Sequence, residues 1–394
     1  MIDSRRRSGA IVCGVLLAAL LCACGGGGGQ PAGATAASPP ATPASRAKGL
    51  CTGAALTVDA APGEAQTRGC LVTFVQNVAD PEDRARLGAG TVNRRYVLYV
   101  PANLPDVAAP VVIVFPGYGA SAETAAVHYT HGKFESLADQ NGFVVVYGNG
   151  LPNPPEDGAG DAPQKEGGYL QGCFPAHSGE GIDVRYVREI LAQLQSVMKV
   201  DRSRVYAAGL SAGGGMTFEL ALEAPDLVAA IAPAVPLPFQ PGGEWRMRCN
   251  PAAGYGSVSI AMLAATADPY ISYGRGPSKR YPDARYPGME ETRDAWLSAL
   301  GITGPPTVET LPDRVPGDSY EPDSGMTSST VERFTYPRGP AGQELVYYRA
   351  VGAGHWWPSP TQSFAALWPT FGKTNQDIDF AEQAWDLFRR HSRP

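Results

Sequence analysis

The chain has 394 residues, with 32 Lys and Arg against 38 Asp and Glu, and a net charge of −6 at pH 7. The basic residues are scattered, which argues against a nucleic-acid partner, because nucleic acids are bound by basic patches. The same acidic balance disfavours a polyanionic substrate. The length allows one large α/β domain or two small ones, and no internal repeat divides it.

The first 23 residues predict an export signal, because three arginines at positions 5–7 precede a short apolar run. Leu21 stands three residues before Cys24 and Ala23 directly before it, which is typical of a bacterial lipobox with Cys24 as the lipid-bearing residue. An ordinary secretory signal is the alternative. Residues 24–49 are almost wholly Gly, Pro, Ala, Ser and Thr and predict a flexible tether. We therefore expect the folded domain at residues 50–394, with membrane attachment only through the lipid.

Four cysteines lie in the domain: Cys51, Cys70, Cys173 and Cys249. None forms a Cys-x-x-Cys pair, so the pattern does not predict a zinc site. In an exported chain, four well-spaced cysteines favour two disulfides. Three connectivities are possible, and we favour Cys51–Cys70 with Cys173–Cys249. Buried free thiols are the alternative.

Short apolar runs alternate with helical periodicities along the domain. An alternating strand at 95–100 is followed by fully apolar runs at 111–115 and 143–147, as expected for strands covered on both faces of a parallel sheet. Helical spacing runs from Asp183, the predicted N-cap, to Met198. The later predicted elements are strand 204–208, helix 216–223, strand 258–263, helix 290–300, strands 331–336 and 344–351, and helix 378–390.

This alternation predicts a doubly wound, mostly parallel α/β sheet in a single domain. Two long segments, 151–168 and 304–330, are rich in Pro, Gly and acidic residues. We expect both of them to be surface loops.

A Gly-x-Ser-x-Gly motif is formed by Gly209, Ser211 and Gly213, between a predicted strand and a predicted helix. This context is that of a nucleophile elbow, in which the serine is raised to the carboxyl edge of the sheet. A tight turn without chemistry is the alternative. Because a serine hydroxyl is a poor nucleophile at neutral pH, a histidine must take its proton and an acid must orient the histidine.

The partners of the serine are sought after later strands, in the order serine, acid, histidine. His355 follows a predicted strand, whereas His391 lies three residues from the end, so we predict His355 as the base. Asp268 also follows a strand and is the predicted acid, with an Asp-Pro turn as the alternative. The oxyanion donors are expected to be the backbone N–H groups of Ala212 and Tyr118. A plain turn is the alternative for the loop of Tyr118.

The motif around Ser211, the Thr-Ala-Asp-Pro stretch at 266–269 and the Gly-His-Trp-Trp-Pro stretch at 354–358 resemble one family. It is that of the polyhydroxybutyrate depolymerases and feruloyl or acetylxylan-type esterases, which are secreted α/β-hydrolases, and the resemblance runs from about residue 95 onward. It implies a triad of Ser211, Asp268 and His355 that needs no metal or organic cofactor. The chain departs from the family pattern in the oxyanion loop, where Pro116 and Tyr118 replace a frequent His-Gly-Cys, and before Thr-Ala-Asp, where two alanines replace His-Gly.

The resemblance implies hydrolysis of a 3-hydroxyalkanoate polymer or oligomer, with feruloyl or acetyl esters of plant polysaccharide as alternative substrates. An amidase acting on a polyamide would use the same triad. A surface lipoprotein that binds through an inactive site is the alternative outside the enzymes. Four aromatic residues next to the catalytic positions are candidates for an apolar substrate groove, with ordinary packing as the alternative: Tyr118, Tyr270, Trp356 and Trp357.

Overall fold

The computed structural model describes residues 69–79, 91–152, 166–168, 181–238, 255–280, 282, 286–319, 326–361 and 365–394. All of them belong to one unit, Ala41–Pro394. Cys70 is buried at the start of the first strand. The other cysteines with a predicted role lie outside the described residues: Cys24, Cys51, Cys173 and Cys249. The lipid anchor and both disulfide pairings therefore stay predictions.

Twelve strands lie in the described part of the chain. They are β1 (Cys70–Ala79), β2 (Thr91–Val100), β3 (Ala109–Phe115), β4 (Val144–Gly148), β5 (Leu151–Pro152), β6 (Glu166–Gly168), β7 (Val200–Leu210), β8 (Ala230–Ala234), β9 (Ser259–Ala265), β10 (Thr307–Thr310), β11 (Thr330–Thr335) and β12 (Leu345–Val351).

Ten of these strands form one sheet in the order β1-β2-β4-β3-β7-β8-β9-β12-β11-β10, while β5 pairs with β6. The six strands from β4 to β12 in that order run parallel. At one edge of the sheet, β2 is antiparallel to β4 and β1 is antiparallel to β2. At the other edge, β11 is antiparallel to β12 and β10 is antiparallel to β11. This mostly parallel order is that of an α/β-hydrolase, which confirms the predicted fold class.

Helices connect these strands. They are α1 (Ala122–Thr124), a π-helix (Ala125–Tyr129), α2 (Lys133–Asn141), α3 (Ile182–Val197), α4 (Ala212–Glu223), α5 (Met289–Ala299), α6 (Trp368–Phe371) and α7 (Phe380–Phe388), with short 3₁₀ turns at Tyr255–Ser257 and Ala365–Leu367. Within the described ranges, the helices fall short of the length and apolarity that a membrane crossing needs.

The core lies on both faces of the sheet, because alternate residues of each central strand point to opposite sides. In β3, Ile113 faces a cluster that includes Phe218 of α4 and Trp296 of α5. Its neighbour Val112 faces a second cluster that includes Phe380 of α7. Every residue of β3 is buried, so the fully apolar run at 111–115 reflects a strand covered by helices on two sides.

The predicted N-cap of α3 is wrong. Gly181 occupies the N-cap, and Asp183 lies in the first turn, where its carboxylate forms an ion pair with Arg94 of β2 at 2.5 Å. Both side chains are fully buried. A buried guanidinium needs a counter-charge, and this need takes the carboxylate away from the helix end.

The segments predicted as surface loops contain strands where the structure describes them. β5 and β6 lie in the first segment, and β10 lies in the second as an edge strand with all four residues exposed. An edge strand with no buried face lacks the alternation that marks a strand, which explains why its sequence did not reveal it.

Candidate active site

Ser211 alone makes the turn between a strand and a helix. β7 ends at Leu210 and α4 begins at Ala212. The backbone of Ser211 has φ 58° and ψ −116°, a conformation that costs a residue with a side chain about 1–3 kcal/mol. Its amide donates to the carbonyl of Ala234 at 3.0 Å, and its carbonyl accepts from the amide of Leu237 at 3.1 Å. The segment that follows β8 therefore holds this strained turn in place.

The two glycines of the motif allow backbones to pass very close to each other. A Cβ on Gly213 would collide with the carbonyl oxygens of Phe115 and Pro116 at the end of β3. A Cβ on Gly209 would collide with the carbonyl group of Gly213. The sequence pattern therefore has a steric origin, because the first turn of α4 can reach the end of β3 only without these side chains.

Asp268 and His355 are joined by a hydrogen bond. The distance between Asp268 Oδ2 and His355 Nδ1 is 2.6 Å, and both side chains are almost wholly buried. The other carboxylate oxygen accepts from the amides of Tyr270 at 2.7 Å and Ile271 at 2.9 Å. Asp268 therefore both closes its own turn and orients the imidazole. This geometry leaves Nε2 as the imidazole nitrogen that can accept a proton.

The loops that carry this pair are neighbours because β9 and β12 are parallel and adjacent. The amide of Ala267 donates to the carbonyl of Ala353 at 3.0 Å, which ties one loop to the other. β8 lies between β7 and β9 and is parallel to both. Ser211, which follows β7, therefore lies at the same edge of the sheet as the pair, where the parallel strands have their carboxyl ends. Joint action of Ser211, Asp268 and His355 stays a prediction.

The main chain around His355 is fixed by the segment that contains α6. The amide of His355 donates to the carbonyl of Phe371 at 2.6 Å, and the amide of Gly354 donates to that of Lys373 at 2.8 Å. A Cβ on Gly354 would collide with the Phe371 carbonyl. The ring of Tyr270 lies 5.1 Å from the imidazole and stacks at 4.9 Å on Phe371. Phe371 lacked a motif or strand end that would have marked it in the sequence.

His391, the alternative histidine, lies at the opposite edge of the sheet, where the parallel strands have their amino ends. Its Nδ1 is 3.2 Å from the hydroxyl of Ser259, the first residue of β9, and its Nε2 is 3.5 Å from Glu344. Asp268 follows the other end of the same strand. The choice of His355 over His391 therefore agrees with the topology.

The loop after β3 lies against the serine. A Cβ on Gly117 would be 3.5 Å from the Cβ of Ser211 and 3.5 Å from the Leu210 carbonyl oxygen. Ala212 is the first residue of α4 and is buried, whereas the side chain of Tyr118 is 63% exposed. These positions suit the two predicted oxyanion donors, whose role stays a prediction.

The four aromatic candidates have different surroundings. Trp357 is 3% exposed and packs against Phe134 at 6.0 Å and Phe380 at 5.1 Å. These contacts favour ordinary packing over a place in the substrate groove for this residue. Trp356 is also buried and donates its indole N–H to the Gly372 carbonyl at 2.6 Å. Tyr118 is exposed and Tyr270 lies beside the imidazole. Only these last two present ring surface from which a groove can be built.

A buried polar network supports the loops at this edge. The Arg94 guanidinium lies 3.7 Å from the ring centroid of Tyr186 and donates to the Asn149 carbonyl at 2.7 Å. The Asn149 side-chain oxygen accepts from the amide of Ala122, the first residue of α1, at 2.6 Å. Arg94 and Asp183 thus fix the residue after β4, which in turn fixes the start of the segment that leads to the π-helix.

In sequence, the chain is similar to esterases. It is 26% identical over 323 residues to NocK of Nocardia uniformis subsp. tsuyamanensis, which is assigned as an esterase, covering 79% of this chain and 83% of that protein. Feruloyl esterase B of Thermothelomyces thermophilus is 28% identical over 167 residues, 41% of this chain and 48% of that protein. Poly(3-hydroxyalkanoate) depolymerase C of Paucimonas lemoignei is 27% identical over 157 residues, 40% of this chain and 34% of that protein.

The alignments with these last two relatives span about half of their length or less. No family model matches the chain. Among solved structures, an acetyl xylan esterase from Aspergillus awamori aligns with a TM-score of 0.45 and 18% identity, over 72% of this chain and 94% of that one.

Proposed function

We propose that the chain, a carboxylic-ester hydrolase with an α/β-hydrolase fold, works as an exported serine esterase through Ser211, His355 and Asp268. One observation carries the proposal. The hydrogen-bonded pair of Asp268 and His355 lies at the same sheet edge as Ser211, and Ser211 is held in a strained turn. Such strain persists where the surrounding structure imposes it, and it clusters at functional sites.

In the proposed reaction, His355 Nε2 takes the proton from Ser211 Oγ as this oxygen attacks the ester carbonyl carbon. Asp268 accepts a hydrogen bond from Nδ1–H and stabilises the imidazolium. The carbonyl oxygen becomes an oxyanion, which receives hydrogen bonds from the amides of Tyr118 and Ala212. The alcohol leaves with the proton from His355. Water, deprotonated by the same imidazole, then cleaves the acyl-enzyme and releases the acid.

The proposed substrate is a 3-hydroxyalkanoate polyester or its oligomers. The similarity to poly(3-hydroxyalkanoate) depolymerase C supports this choice. The exposed ring of Tyr118 gives the site entrance an apolar surface, as an aliphatic polyester would require. The ring of Tyr270, which stacks on Phe371 of α6 beside the imidazole, would form a second wall.

Feruloyl esters are the second candidate substrate, and one specific observation favours them. The rings of Tyr270 and Phe371 stack at 4.9 Å beside the imidazole, and both are partly exposed. Aromatic rings pair favourably with one another beyond their burial, so this pair could receive a hydroxycinnamoyl group. The similarity to feruloyl esterase B agrees with this alternative.

The substrate test compares three esters with the same purified protein. Films of poly(3-hydroxybutyrate), methyl ferulate and acetylated xylan are incubated separately, and released 3-hydroxybutyrate, ferulate and acetate are measured by chromatography. Ser211→Ala should lower the release by at least about 10⁴-fold. Ser196→Ala is the matched control, because that hydroxyl is exposed on α3 and, among the described residues, donates only to the Gln193 carbonyl.

We expect 3-hydroxybutyrate from the film in the wild-type protein and in Ser196→Ala. Release of ferulate from methyl ferulate without release of 3-hydroxybutyrate from the film would move the assignment to the second candidate. Release that survives Ser211→Ala would contradict the proposed mechanism for either substrate.

We also propose that the protein is anchored through a lipid on Cys24. This proposal is supported by the lipobox-like residues at 21–24 and the Gly- and Pro-rich stretch that follows. Metabolic labelling with radioactive palmitate should mark the wild-type protein and not Cys24→Ser. Equal labelling of both proteins would contradict lipid attachment at Cys24 and would not affect the esterase assignment.

A further inference from the structure

Tyr129 ends a π-helix that lies between β3 and α2. The amide of Thr130 donates to the Ala125 carbonyl at 3.1 Å, five residues back, and the amide of Gly132 donates to that of Ala126 at 3.1 Å. Ala125 and Ala126 are buried, which fixes one side of this turn in the core. π-helical turns are rare and frequently occur at functional sites.

The Tyr129 hydroxyl lies next to the loop that contacts the nucleophile. The position that a Cβ of Gly117 would occupy is 3.8 Å from the Tyr129 hydroxyl oxygen and 3.5 Å from the Ser211 Cβ. Both groups therefore border the small space that Gly117 leaves open. Gly117 directly precedes Tyr118, whose amide is one of the two proposed oxyanion donors.

The Tyr129 hydroxyl is suited to donate a hydrogen bond. Its ring packs against the apolar cluster between the sheet, α2 and α7. No other described residue hydrogen-bonds to its hydroxyl. Burial raises the pKa of Tyr129 to about 12, so the hydroxyl keeps its proton at neutral pH.

We propose that Tyr129 is a further catalytic residue, whose hydroxyl donates a third hydrogen bond to the oxyanion; this assignment rests on the proposed Ser211 mechanism. As Ser211 Oγ bonds to the carbonyl carbon, its proton passes to His355, and the π electrons of the carbonyl move to the oxygen. Tyr129 donates to that oxygen without giving up its proton. A third donor also fits a loop in which Pro116 provides no N–H.

The alternative is that Tyr129 only fills space under the loop. Tyr129→Phe separates the two roles, because it removes the hydroxyl and keeps the ring. The matched control is Tyr206→Phe, since this residue lies on the same strand as the nucleophile's elbow but donates to the His391 carbonyl at the far edge of the sheet.

With a soluble nitrophenyl ester, Tyr129→Phe should lower kcat by about 10- to 100-fold and change KM by less than about threefold. Its affinity for a trifluoromethyl ketone, which forms a tetrahedral adduct, should fall by the same factor as kcat. Its affinity for the product acid should stay unchanged. Tyr206→Phe should keep the kcat and the ketone affinity of the wild-type protein.

Wild-type kcat and ketone affinity in Tyr129→Phe would overturn the assignment, and so would an equal loss of kcat in Tyr206→Phe. Thermal melting of both variants shows whether either change merely unfolds the protein. Ser211→Ala separates this proposal from the previous one. If Ser211→Ala stays active, the proposed mechanism fails. If Ser211→Ala is inactive and Tyr129→Phe has wild-type kcat, only the role of Tyr129 is contradicted.

Discussion

The turn that carries Ser211 and the pair of Asp268 and His355 lie at one edge of the sheet, but different interactions position them. Steric constraints hold the turn, since Ser211 is strained and Gly213 touches the backbone at the end of β3. Hydrogen bonds hold the pair, which depends on a 2.6 Å contact between two loops. The turn should therefore respond to added volume, and the pair to lost hydrogen-bonding capacity.

Asp268→Asn tests the pair and should lower kcat more than the change in the turn described next. The amide keeps the volume but can donate to Nδ1, which favours the imidazole tautomer that cannot accept the serine proton. We expect kcat to fall by about 10³- to 10⁴-fold, with a melting temperature close to that of the wild-type protein. Steady-state kinetics and calorimetry measure the two quantities. A variant that retains most of its kcat would show that Asp268 only closes a turn.

Gly213→Ala tests the turn. The added methyl group would collide with the carbonyl oxygens of Phe115 and Pro116, so α4 or the loop after β3 must move. We expect a loss of about 1–3 kcal/mol of unfolding free energy together with a lower kcat. Gly274→Ala is the matched control, because a Cβ there meets no atom of the described residues within 4 Å. Equal urea stability of the two variants would contradict the steric account.

Glu135→Gln changes a residue outside both the turn and the pair, and it should alter the pH dependence of the unfolding free energy without altering kcat. Glu135 in α2 is fully buried, and burial raises its pKa to about 7 from an ordinary 4.5. Between these pH values the folded protein retains a proton that the unfolded chain releases, so stability falls as pH rises from about 4.5 to about 7. The glutamine cannot ionise and should reduce this loss by about 2–3 kcal/mol.

Denaturant unfolding at pH 4.5 and pH 8 measures this effect in both proteins. The difference between the two pH values should be smaller in Glu135→Gln, while kcat at pH 8 stays that of the wild-type protein. An unchanged difference would show that Glu135 ionises normally in the folded state.

The strand-end positions of the candidate triad were accessible from the sequence, because each follows an apolar run and parallel strands bring their carboxyl ends to one edge. β8 was missed, since its five residues are mostly alanines with an internal proline. Asp183 looked like a cap because its buried partner, Arg94, lies 89 positions earlier. Tyr129 and Phe371 were missed for a related reason: their places depend on a π turn and a loop that contact Gly117 and His355 only after folding.

Labelling with a fluorophosphonate tests most directly whether these distant residues act as one unit. The probe reacts with a serine only when a neighbouring base activates it, and peptide mass spectrometry locates the adduct. We predict a single adduct on Ser211 in the wild-type protein, and labelling slowed by at least about 10³-fold in His355→Ala. An unlabelled Ser211, or a Ser211 that is labelled equally fast without the imidazole, would contradict the account.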